Sequence, residues 1–214
     1  MQRKFSSWSS VAILACAAAF AVAHADPKPA SEARTVPAFQ SIELAGTLQV
    51  DVEVGKAASV TVTGEADLLD KVVTKVKDGV LVIDTKRDLP RRHHLRATVT
   101  VPELAAISLT GTGDMRVSGI SSDSLAVRLP GTGAMTLTGS ASTLKLSVDG
   151  TGNIAAKNLA TKAATVDMSG TGSATLQVSQ SLDARITGTG SIDVHGHPAQ
   201  VRKSVTGVGA IHVR

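Results

Sequence analysis

The C-terminal half of the chain returns at short, nearly constant intervals to one tripeptide. Gly-Thr-Gly begins at Gly111, Gly131, Gly150, Gly170 and Gly188, and the variant Gly207-Val208-Gly209 closes the series, at spacings of 20, 19, 20, 18 and 19 residues. Self-similarity at such a period marks a repeat architecture, in which each unit buries its apolar face only against its neighbours. Aligned on the glycines, Leu109, Leu129, Val148, Met168, Ile186 and Val205 form one column, two residues before the first glycine. Met115, Met135, Ile154, Ala174, Ile192 and Ile211 form a second, and Val117, Leu137, Ala156, Leu176, Val194 and Val213 a third.

Residues of one parity share a face of a strand, so these columns point inward and the glycines share their parity. Thr112, Thr132, Thr151, Thr171 and Thr189 then point outward. Glycine on the inner wall lets neighbouring backbone approach without a Cβ clash. No helical period runs through residues 105–214. The expected fold is all-β: a parallel β-helix or solenoid of about six Gly-Thr-Gly coils, roughly 29 Å long at about 4.8 Å per coil. The spacings are not multiples of six, which favours a right-handed or irregular solenoid over the left-handed hexapeptide type.

Upstream, alternation of apolar and polar residues marks strands at Ile42–Leu44, Leu48–Val54, Ser59–Thr63 and Leu95–Val101. Asp78-Gly79, between Val72–Val76 and Val80–Ile83, predicts a tight hairpin, because both central residues must reach positive φ. Residues 38–104 are expected to cap the solenoid of residues 105–214, and residues 26–37, with three prolines, read as a flexible leader.

The first 25 residues have the order of a secretory signal: Arg3 and Lys4, an apolar run from Val11, then Ala23-His24-Ala25. The run is too short for a membrane span, so an exported chain without a transmembrane span is expected, in the periplasm, outside the cell or on its surface. The single cysteine, Cys16, lies in this run and is followed by more apolar residues, where a lipoprotein turns to a polar tether. That argues against lipid anchoring, and cleavage after Ala25 leaves no thiol chemistry. Removing Arg3 and Lys4 from 22 basic residues leaves 20 against 18 acidic, a net charge of +2, which does not point to nucleic acid. Trp8, Phe5 and Phe20 depart with the signal, and Phe39 is the one aromatic of these types that remains.

The strand Phe39-Gln40-Ser41-Ile42-Glu43-Leu44, the segment Gly79–Ile83, the step Val101-Pro102-Glu103-Leu104, the serial Gly-Thr-Gly coils and the closing Ile192–Pro198 together resemble the head GIN domain family of putative auto-transporter adhesins. The resemblance covers nearly all of the chain after the signal. It implies a β-helical fold akin to pectin-lyase-like proteins, an adhesive role and no assigned functional residues. The Gly-Ile-Asn tripeptide is absent, with Gly152-Asn153-Ile154 nearby, and no translocator barrel follows Arg214. Self-export across an outer membrane is therefore not expected.

Candidate chemistry is sparse. Leu129-Pro130-Gly131-Thr132-Gly133 spells a sorting signal but sits in a repeat column and lacks the apolar span and basic tail such a signal needs. Asp149 and Asp167 fall on the outer face of adjacent coils, with Arg185 in register with Asp167, so an ion pair between coils explains them better than acid–base catalysis. The dearth of aromatic platforms weighs against both lectin and lyase. His195-Gly196-His197 ahead of Pro198 reads as a turn rather than a metal site, and the outward threonine file lacks the second regular file that ice binding requires. No catalytic, cofactor-binding or metal-binding residue is assigned, and no cofactor is implied. Lys86, Arg87, Arg91, Arg92 and Arg96 form a candidate anion-contact loop. The leading expectation is a non-enzymatic adhesin-like or scaffolding module that engages a surface or envelope component, or a second copy of itself through its C-terminal coil. The alternatives are a degenerate polysaccharide-acting enzyme and a periplasmic envelope-associated factor.

Overall fold

The computed structural model describes residues 29–90 and 93–214. The signal segment, Cys16, Arg91 and Arg92 lie outside the described residues. The described chain is all-β, with one short 3-10 turn at Leu69–Lys71. Strands β1 (Ala30–Arg34), β2 (Ser41–Leu44), β3 (Gln49–Val54), β4 (Ser59–Gly64), β5 (Val72–Lys77), β6 (Val80–Thr85), β7 (Arg96–Val101) and β8 (Ala106–Leu109) precede the repeats. The repeats are β9 (Thr112–Leu129), β10 (Thr132–Val148), β11 (Thr151–Met168), β12 (Thr171–Ile186), β13 (Thr189–His195), β14 (Gln200–Val205) and β15 (Val208–Val213).

Each long strand carries one circuit of the solenoid and lies parallel to the next, with Thr132 beside Thr112 and Thr151, and Gly133 beside Gly113 and Gly152. The inward columns are the core: Leu129, Val148, Ile186, Met115, Met135 and Leu137 are all fully buried. The stack makes about five turns, slightly fewer than the six corners suggest. The last corner explains the difference. Gly207-Val208-Gly209 leads into β15, which pairs with β13 and is the last strand among the described residues, so the sixth corner opens only part of a circuit there.

The corners require glycine for two reasons. Gly113, Gly133, Gly152 and Gly172 have φ between 147° and 159°, and a Cβ on any of them would collide with a backbone carbonyl of the coil before it. For Gly133, Gly152 and Gly172 that carbonyl belongs to the preceding glycine of the same column. One substituted coil would therefore push its neighbour away.

The N-terminal strands extend this stack. β2 lies parallel between β6 and β8, and β3 parallel between β7 and β9. Their connection, Ala45-Gly46-Thr47, sits under the Gly111 corner: Gly111 N–H donates to Leu44 O at 2.9 Å and Thr112 N–H to Gly46 O at 3.1 Å. The β6/β7 layer lies under β2/β3, although it comes later in the chain. The β5–β6 hairpin turns through Asp78 (φ 52°) and Gly79 (φ 76°), the geometry that the dipeptide predicts. Ala30–Arg34, within the stretch read as leader, is extended but not free. It pairs antiparallel with β4, and Arg34 Nη2 donates to Leu69 O at 2.6 Å.

Candidate functional site

The outward threonines form the expected ladder. Thr112, Thr132, Thr151, Thr171 and Thr189 are exposed and stacked in register, and Val208 takes the next place. Beside it, Asp149 stands between two hydroxyls: Ser169 Oγ donates to Oδ1 at 2.6 Å and Ser147 Oγ to Oδ2 at 2.8 Å. These two bonds, Ser169 first, hold the Asp149 carboxyl below the usual aspartate value. Arg185 meets Asp167 across the coils at 3.6 Å, the expected ion pair. Both carboxylates are thus engaged in tying adjacent coils together.

Of the candidate anion-contact residues, Lys86, Arg87 and Arg96 fall among the described residues. Arg96 lies on β7 rather than in the loop, where its guanidinium contacts Asp51 at 2.6 Å and donates to Gln49 Oε1 at 3.1 Å. Lys86 faces Asp70 at 3.9 Å and is exposed, as is Arg87. The two line a cavity of about 580 Å³ with Thr47 and His93. Lys71 contacts Asp88 at 2.5 Å and holds the Asp88 carboxyl below its ordinary value. Among the described residues, Lys71, Lys86 and Arg96 thus each face an acid, and Arg87 is exposed beside them.

His195 ends β13 and the chain bends at Gly196, with φ 100° and its N–H donating to Arg214 O at 3.0 Å, before His197 and Pro198. Among the described residues, no group of three or more His, Cys, Asp or Glu side chains comes together as a metal site. Also among the described residues, no helix is long and apolar enough to cross a membrane.

The rung made by β14 and β15 is one open end of the stack, as β1 and β5 are at the other, and it differs from the coils beneath it. β14 pairs with β12 and β15 with β13, each on one side only. Val201, Val205 and Val208 are 42%, 44% and 73% exposed, whereas their counterparts in the coils below are buried or threonine. Val201, Lys203 and Val205 lie over Leu182, Ala184 and Ile186, so all three occupy inward positions. Lys203 thereby enters a column that is otherwise Ile107, Val127, Leu146, Val166 and Ala184. Counting four residues back from each corner glycine would have found this charge. The columns beside the corner do not contain it.

The family model for the putative auto-transporter adhesin, head GIN domain, matches residues 38–198. A solved structure of a putative adhesin from Bacteroides fragilis is similar at 26% identity and a TM-score of 0.74, covering 88% of this chain and 98% of that one. A putative lipid binding protein from Parabacteroides distasonis aligns at 21% identity and a TM-score of 0.49, covering 87% and 96%. A putative adhesin from Parabacteroides merdae aligns at 18% identity and the same TM-score, covering 87% and 96%. A comparison with curated proteins found no match.

Proposed function

The chain belongs to the head GIN domain family of putative auto-transporter adhesins, and from that premise we propose that it is an exported, non-enzymatic binding module that holds a component of the envelope or cell surface. The observation that carries this reading is the one-sided β14/β15 rung. It concentrates Val201, Val205 and Val208, the large apolar side chains left exposed among the described residues. An apolar rim beside unpaired strand edges invites protein contact. The signal-like first 25 residues support export.

The acidic residues best placed for polysaccharide chemistry support the non-enzymatic side. Asp149 is held ionised by two serine hydroxyls and Asp167 faces Arg185, so neither is poised as a general acid. The test is to incubate the purified protein with washed cell envelopes and, separately, with pectin-like and acidic glycans. Retention on the envelopes with unchanged glycan chain length is expected. A fall in chain length that disappears on changing Asp149 or Asp167 would overturn the reading in favour of an enzyme.

A further inference from the structure

A strand laid over β14 must satisfy an inward charge. Each inward side chain of the solenoid rests on the same column of the coil before it, and the column under Lys203 is apolar in every preceding rung. The Lys203 ammonium reaches across the rung and donates to the carbonyl of Ile211 on β15 at 3.2 Å. That carbonyl lies on the unpaired side. Arg214 N–H and C=O bond to Val194 and Gly196 of the coil beneath, so the alternate residues Ile211 and Gly209 turn theirs away from it.

Any rung placed on top would cover the ammonium with its own inward residue. Covering an ammonium with an apolar side chain leaves a charge without a partner in a poor dielectric, whereas a carboxylate supplies the counter-charge and acceptor oxygens. The flanking positions, over Val201 and Val205, call for apolar side chains. Charge around the rung points the same way: Gly196–Arg214 contains Arg202, Lys203 and Arg214 and no Asp or Glu. Arg214 is matched from below by Asp193 at 3.3 Å, and Arg202 stands in register over Asp183, which leaves Lys203 as the charge for a partner to meet.

We propose that the β14/β15 rung accepts an extended segment of another protein by strand addition, and that it selects a segment carrying Asp or Glu with an apolar residue two positions to either side. The proposal rests on the binding-module reading and names the partner of that surface. A second copy of the chain fits poorly. Two such rungs face to face would bring Lys203 and Arg202 against their own copies. Stacking head to tail would set β14 against β5, the strand at the other end of its sheet, which carries Lys75 and Lys77.

Two nine-residue, threonine-rich peptides test this, each with valine at its third and seventh positions and either glutamate or lysine at its fifth. Binding to the full chain is followed by fluorescence anisotropy. The glutamate peptide is expected to bind at least roughly tenfold more tightly than the lysine peptide, with the preference reversed in Lys203→Glu and lost in Lys203→Gln. Circular dichroism verifies that the variants fold; Lys203 is exposed, so both substitutions are expected to be tolerated. Equal binding of the two peptides would overturn the proposal, as would binding of neither. Envelope retention that persists in both Lys203 variants alongside those results would leave the binding module standing and remove only its selectivity. Sedimentation showing a wild-type dimer that Lys203→Glu dissociates would equally overturn it, in favour of a second copy.

Discussion

The hydroxyl of Ser169 donates to the carboxylate of Asp149 across the junction of two successive coils, at 2.6 Å. With Ser147 on the other oxygen, the carboxylate joins β10 to the connection between β11 and β12. Hydrogen bonds to the charged form lower its pKa, so the bond adds stability at pH above the unfolded value, near 3.8, and loses it as the pH falls through the lower folded value. Asp149 is solvent-exposed, which keeps the effect small. Asp149→Ala is expected to cost under about 1 kcal/mol at pH 7. Thermal melts from pH 7 to pH 2.5 should show the gap between variant and wild type closing below pH ~4.

A methyl group at the corner column should be far more damaging than one at a turn. Gly133 has φ 148° and a backbone carbonyl directly in the path of a Cβ, whereas Gly79 has φ 76° and nothing within 4 Å of where a Cβ would lie. Gly79→Ala is expected to cost about 1 kcal/mol, the left-handed penalty alone. Gly133→Ala is expected to cost more than about 3 kcal/mol, because strain and overpacking combine. Urea unfolding of the two variants measures both, and equal costs would mean that the corners do not need glycine for close approach.

Leu137 and the Asp167–Arg185 pair separate what packing and charge contribute. Leu137 is fully buried in mid-stack, so Leu137→Ala should cost about 2–5 kcal/mol. Asp167 and Arg185 are 47% and 58% exposed at 3.6 Å. A double-mutant cycle should find a coupling of about 0–1 kcal/mol that shrinks as salt is added. The stack is held by its inner columns, and the outer pair trims register.

Much of this fold is written in residue spacing. Strict alternation assigns inner and outer faces, so Met115, Met135 and Leu137 could be placed in the core from the glycine register alone. Asp78-Gly79 likewise announces its hairpin, because few residue pairs tolerate that backbone. The interleaving of β2 and β3 beneath the repeats could not be read this way. Gly46-Thr47 is half of a signature, and the parallel pairing of β2 with β6 reaches across three intervening strands, β3, β4 and β5. Arg96 shows the same limit for charge. Counting cations placed it in a loop patch, but its partner Asp51 is 45 residues away in sequence and adjacent only across β3 and β7. Lys203, by contrast, stood in an apolar column that the repeat register could have exposed.

The central claim is that the chain binds through the β14/β15 rung, and retention on washed envelopes tests it most directly when two exposed positions are compared. Val208 is 73% exposed on β15, and Thr136 is exposed on the outer face of β10, so neither Val208→Asp nor Thr136→Asp should disturb the core. The account predicts that Val208→Asp lowers retention by at least tenfold, roughly the order expected for charging a large apolar contact of an interface, while Thr136→Asp matches wild type. Undiminished retention of Val208→Asp, with loss in Thr136→Asp, would contradict it and move the binding surface to the flank of the solenoid.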